Sequence, residues 1–153
     1  MFTDQWQCFK EQIRLDHAQI DRLVRTVRRA CQQESRQFRS IGLEARLVHL
    51  QRALEQQLDQ YKCGYMEDAV SAAPRFGREA EHLRRQRAAL VRRVGRIVGE
   101  LQQMQGNGEN RRLLAAEITD LLNELEANER AETKLLEAAL NVDLDLYCGN
   151  GGG

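Results

Sequence analysis

The sequence predicts an all-α protein, an up-down-up-down antiparallel four-helix bundle, from three observations. Of its 153 residues 30% are charged and 5% aromatic, with a single proline, Pro74, a composition that favours helices over sheet. Turn-forming residues divide the chain at Ser40-Ile41-Gly42, at Ser71 to Pro74 and at Gly106-Asn107-Gly108, leaving four long segments. Within each segment apolar residues recur in alternating steps of three and four, which lays one stripe along a helix and lets four helices close around a shared core. A chain of this length makes one domain and buries a sufficient core without disulfides or a structural metal.

The first helix is expected to open at Asp4, which forms a capping box with Gln7, and its stripe runs Trp6, Phe9, Ile13, His17, Ile20, Val24, Val27, Cys31. The second carries Leu43, Leu47, Leu50 and Leu54 into Gln57 and Tyr61. Pro74, well placed in a first turn, opens the third behind Ser71 or Ala73, and the stripe continues through Phe76, Ala80, Leu83, Arg87, Leu90, Val94, Ile97, Leu101 and Met104. The fourth presents Leu114, Ile118, Leu121, Leu125, Asn128, Glu132, Leu135 and Ala139. The chain leaves the helix from Asn141; residues 1–145 are read as the bundle and 146–153, rich in glycine, as a flexible tail.

Each stripe is interrupted once by polar residues, and the interruptions agree in height. In an antiparallel hairpin, residues equidistant from the turn lie side by side. Arg87 and Asn128 are nearly equidistant from the turn near 107, Gln57 and Arg87 from that near 72, and His17 lies about as far before the turn near 40 as Tyr61 lies after it. Six side chains therefore converge on one layer: His17, Gln57, Tyr61, Arg87, Asn128 and Glu132. A buried polar group without a partner costs about 1 to 3 kcal/mol, so the six are expected either to satisfy one another or to surround a ligand. For any one of Gln57, Asn128 or His17 taken alone, the plainer reading is a register-setting or satisfied core residue.

Composition narrows the function classes. Lys plus Arg and Asp plus Glu number 23 each, so the overall charge predicts neither a nucleic-acid nor an acidic-membrane partner. Acids outnumber bases ten to four from Glu109 to Asp145, and the arginines Arg84, Arg85, Arg92, Arg93 and Arg96 are expected to face solvent or that acidic last helix. Arg22, Arg25, Arg28 and Arg29 lack the interleaved aromatics of a single-strand-binding surface. Cys8, Cys31, Cys63 and Cys148 have no zinc-site spacing and read as reduced thiols. No apolar stretch is long enough to span a bilayer and the first ten residues lack signal-peptide character, so a cytoplasmic protein is expected. No nucleophile–base arrangement, phosphate-cradling loop or HExxH occurs, so neither catalytic residues nor an enzyme are predicted, and the GNGE stretch from Gly106 reads as a turn.

Asp16-His17-Ala18-Gln19-Ile20, the Gln57 to Glu67 stretch with its Gly64-Tyr65 turn, Gln86-Arg87-Ala88-Ala89-Leu90 and Asn128-Glu129-Arg130-Ala131-Glu132 followed by Lys134-Leu135-Leu136 together resemble the histidine and HxxxE motifs of the hemerythrin-like (HHE) family of non-haem di-iron proteins. The resemblance runs from about Trp6 to Leu144 and implies a four-helix bundle whose inward histidines and carboxylates hold two irons. At the matched positions this chain keeps only His17 and Glu132; Gln57, Arg87 and Asn128 stand where histidines belong and Tyr61 where a bridging glutamate belongs. Amides are weak iron ligands and arginine is permanently cationic. The ligand set is therefore degenerate, no cofactor is expected, and Arg87 is expected to supply the positive charge, paired with Glu132 and braced by the other four. On this reading Arg87→Ala destabilises strongly and Arg87→Met less. His49 and His82 lie beside the stripes and are expected at the surface.

Two functions follow from the resemblance. The first is a metal-depleted hemerythrin-like module acting in binding, regulation or structure, with a protein partner or a second copy of itself. The alternative retains metal, either di-iron or one iron, at His17, Glu132 and Tyr61, with oxygen, nitric oxide or iron sensing or storage.

Overall fold

The alternating spacing is realised as helix throughout. A computed structural model describes residues 2–34, 40–103, 108–141 and 144, and among these it contains no strand. Four long helices, α1 (Phe2–Glu34), α2 (Ser40–Leu58), α5 (Gly77–Gln103) and α6 (Gly108–Leu140), are accompanied by two short ones, α3 (Gln60–Cys63) and α4 (Tyr65–Ala72), and a 3-10 turn, Pro74–Phe76. α1 packs on α2 and α6, and α5 packs on the same two, so the four long helices close a ring. No described helix is long and apolar enough to cross a membrane.

The element boundaries follow local chemistry, with three departures from expectation. α1 begins at Phe2, so Asp4 lies within the helix instead of capping it. Ser40, Ile41 and Gly42 form the first turn of α2; the break before it lies at 35–39, outside the described residues. The second arm is not continuous either: the helix is interrupted at Asp59 and again at Gly64. A Cβ on Gly64 would come within 2.9 Å of the Gln60 Cα, so this close approach of chain to chain requires glycine. The Gln60 side chain accepts a hydrogen bond from the Tyr65 N–H (3.3 Å) and starts α4. Ala73 ends α4 through its N–H to the Ala69 carbonyl, and Pro74 then opens the 3-10 turn, where its fixed φ suits a first turn and its missing N–H costs nothing. α6 stops at Leu140, and Asn141 adopts a left-handed φ of 53°, a conformation asparagine tolerates at a helix end. Trp6, Met104, Asn107 and residues 146–153 lie outside the residues whose side chains or structure are described.

The stripes form two apolar clusters. One contains Ile20, Val24 and Val27 of α1, Leu47, Leu50 and Leu54 of α2, Leu90, Val94 and Ile97 of α5, and Leu114, Ile118, Leu121 and Leu125 of α6. The other contains Ile13, Tyr65, Met66, Ala69, Ala80, Leu83, Leu135 and Leu136, with Leu144 folded back onto it. Each fully buried aliphatic side chain contributes about 1.5 to 3 kcal/mol. Between the clusters the stripe residues turn polar. Among the expected helix-facing arginines, Arg93 pairs with Glu124 and Arg96 with Glu117, both on α6, while Arg84 and Arg85 pair with Glu81 on their own helix. His49 and His82 are exposed, as are Cys8 and Cys63, and Cys31 lies in the first cluster.

Candidate functional site

The helical period that buries Leu83 and Leu90 also buries the residue between them, so α5 carries the whole Arg87 side chain into the interior, 2% exposed. Its guanidinium lies at the centre of the polar layer. Nε donates to Asn128 Oδ1 on α6 at 3.0 Å and Nη1 to Gln57 Oε1 on α2 at 3.4 Å. Nη2 meets Glu132 Oε2 at 3.4 Å and Glu129 Oε1 at 3.9 Å. Both amides are held from behind. Asn128 Nδ2 donates to the Leu83 carbonyl (3.2 Å) and Gln86 Oε1 (3.3 Å), and Gln57 Nε2 donates to the Asp16 carbonyl of α1 (3.0 Å). Tyr61, from α3, donates its hydroxyl proton to Glu132 Oε2 at 2.6 Å. All four long helices therefore contribute to one hydrogen-bonded layer, in which an amide or carboxylate faces each side of the guanidinium.

The six residues singled out in the sequence are thus brought to one level, but their partnerships are richer than expected. His17 faces a further acid, its Nδ1 3.6 Å from Glu129 Oε2. Glu129, buried at 4% exposure, is a second carboxylate against the guanidinium that the sequence reading passed over. So is the pair that flanks the layer, Tyr65 donating to Asp16 Oδ2 at 3.0 Å. The signal for both was present: Glu129 and Asp16 each adjoin a stripe residue, and a helix in a ring of four buries flanking positions as well as its central seam. Tyr65 follows the Gly64 break, and its inward direction is set by a kink no periodicity announces.

One cation among several acids unbalances the layer electrostatically. Burial raises the Glu129 carboxyl to about 8; Arg87 opposes the rise, and Glu132 and Asp21 add to it. Burial likewise pushes Asp16 up, against its hydrogen bond from Tyr65. His17 is held below the usual imidazole range, by burial first and with help from Arg87, against the pull of Asp21 and Glu132. For Arg87 burial favours the neutral form, but Glu132, Tyr61 and Glu129 outweigh it and the guanidinium is raised overall. Burial and the neighbouring Glu132 carboxylate push Tyr61 well up, so its phenol stays protonated as the donor the hydrogen bond requires.

Beside Arg87 lies a small cavity of about 10 Å³, lined by Asp16, His17, Gln57, Tyr65, Glu129 and Glu132 among others, the size of about one water. Of the expected ligand set, Tyr61 and Glu132 are hydrogen-bonded to each other and Glu132 is paired with Arg87, while His17 is turned toward Glu129. Donor atoms of His17, Asp21 and Glu129 lie within 4.8 Å of one another. Compared with protein-family models, with curated proteins and with solved structures, the chain matches none.

Proposed function

We propose that the chain is a metal-depleted hemerythrin-like module, an up-down-up-down four-helix bundle in which Arg87 occupies the place of the two irons, and that it serves as a regulatory, binding or structural domain and not as an enzyme. The observation that carries this reading is the Arg87 guanidinium, buried, hydrogen-bonded to Asn128 and Gln57 and ion-paired with Glu132, three of the positions at which the resemblance expects metal ligands. A fixed positive charge there opposes a second and third one, so the centre is filled by a side chain instead of a di-iron cluster. Support for the up-and-down course comes from the cross-helix pairs: Arg96 with Glu117, Arg93 with Glu124 and Arg87 with Glu132 join descending numbers on α5 to ascending ones on α6, read from the turn outward.

As a module of this kind the chain acts in the cytoplasm through a protein partner or a second copy of itself, with residues 1–145 as the bundle and 146–153 as a tail. The test is elemental analysis and an optical spectrum of the protein purified after growth in iron-rich medium. The expected result is no near-stoichiometric iron and no near-ultraviolet oxo-bridge or tyrosinate band. Near-stoichiometric iron with either band would overturn the reading in favour of a retained iron site for oxygen, nitric oxide or iron.

A further inference from the structure

We propose that His17, Asp21 and Glu129 form a site for a single first-row divalent cation of the zinc type, at the junction of α1 and α6 and joined to the Arg87 centre through Glu129. His17 and Asp21 are four residues apart on α1 and so share one helix face; Glu129 approaches them from α6. Their donor atoms lie within 4.8 Å of one another, and His17 Nδ1 and Glu129 Oε2 are 3.6 Å apart. Two ligands bound about 2.1 Å from a tetrahedral zinc are separated by about 3.4 Å, so this edge is already formed and Asp21 closes the face by a side-chain adjustment. One imidazole and two carboxylates are a borderline donor set, which favours zinc over magnesium or calcium.

A second observation points to a small polar guest beside two of the three ligands. His17 and Glu129 line the cavity that Arg87 also borders, and the buried Arg87 Nη2 closes no hydrogen bond. A cavity of one water's size lined by these groups suits a bound water within reach of His17 and Glu129. Charge agrees with geometry. Asp16, Asp21, Glu129 and Glu132 surround the junction with Arg87 as the one buried cation among the described residues, and Glu126, nearby, is held by Arg28 at 2.5 Å. Glu129 itself stands between Arg87 and the proposed ion, offering Oε1 to the guanidinium and Oε2 to the histidine side, so the guanidinium's repulsion is met by a carboxylate.

The experiment is zinc titration of the EDTA-treated full chain by calorimetry near pH 7. One zinc per chain is expected, with binding to magnesium far weaker. Asp21→Asn, at a half-buried position away from the Arg87 hydrogen bonds, should weaken zinc by about a hundredfold or more, since loss of even an outer-shell partner costs about ten- to a hundredfold. His17→Gln is the second variant, with helicity checked by circular dichroism, and X-ray absorption should show imidazole and oxygen but no sulfur around the zinc. The proposal is overturned if zinc does not bind one to one, if both variants bind as the parent does, or if binding disappears only when Cys8 and Cys63 are changed to serine. Absence of zinc binding would leave the Arg87 reading standing, whereas a di-iron spectrum would overturn that reading alone.

Discussion

Val94 and Ile97 of α5 lie in an aliphatic cluster with Ile20, Leu50 and Ile118, while about two turns earlier on the same helix Arg87 is just as deeply buried among carboxylates and amides. The two regions are enclosed by the same four helices, yet they tolerate error differently. In the aliphatic cluster, stabilisation scales with apolar area and any residue of suitable volume serves. In the polar layer each group is satisfied only by particular partners in particular places, so removing one member exposes the others to the full cost of burial. The difference teaches that similar burial carries a different kind of constraint in each region: volume in one, stoichiometry of donors, acceptors and charge in the other.

The comparison breaks first at its centre. Arg87→Ala should lower stability by about 3 to 5 kcal/mol, the cost of stranding a buried ionic partner, read as a loss in urea midpoint at neutral pH. Because Glu129 joins Glu132 against the guanidinium, Arg87→Met alone still leaves two buried acids, and the milder effect expected of a volume-matched replacement requires Glu129→Gln and Glu132→Gln beside it. If Arg87→Ala unfolds at the same midpoint as the parent, the layer is not a coupled network.

Leu121→Ala, at a fully buried position in the aliphatic cluster, should cost about 2 to 5 kcal/mol through lost transfer energy and a cavity. It is distinguished from the layer substitution by rescue: Leu121→Met should recover most of the loss, since volume-conserving swaps usually cost under about 1.5 kcal/mol. Failure of that rescue would mean the aliphatic region is as specific as the polar one.

A pH series separates the two regions with a smaller effect. Glu129 sits at about 8 in the folded protein against an ordinary 4.5. Over that interval the folded state holds a proton that the unfolded chain has released, so the associated stability is full at low pH and lost as pH rises through about 8. His17, shifted downward, acts in the opposite direction, but its contribution falls away only as pH drops below about 6.5. Urea midpoints of metal-free protein should therefore decline from about pH 6.5 to about pH 8.5, by at most about 1.4 kcal/mol per pH unit for one proton. Glu129→Gln should flatten that decline and Leu121→Ala should leave it in place.

Least affected should be the rim. Arg93 and Glu124 pair across α5 and α6 in a largely exposed setting, and such pairs contribute about 0 to 1 kcal/mol. Arg93→Ala should shift the midpoint by no more than that, and raising salt should erase the shift.

Four stretches of three-and-four spacing, punctuated by turn residues, were enough to determine an all-helical chain, because stripe position depends only on the 3.6-residue period that every helix shares. The same arithmetic brought His17, Gln57, Tyr61, Arg87, Asn128 and Glu132 to one level. Who bonds to whom within that level was decided by the tertiary structure: Glu129 taking His17 and a share of Arg87, Asp16 taking Tyr65, and the second arm breaking at Gly64 to aim Tyr65 inward. Those outcomes depend on helix rotation and on the approach of flanking positions from a neighbouring helix, at distances of a few ångströms. Periodicity fixes the height of a residue to within a turn, and a turn is 5.4 Å, longer than any hydrogen bond in the layer.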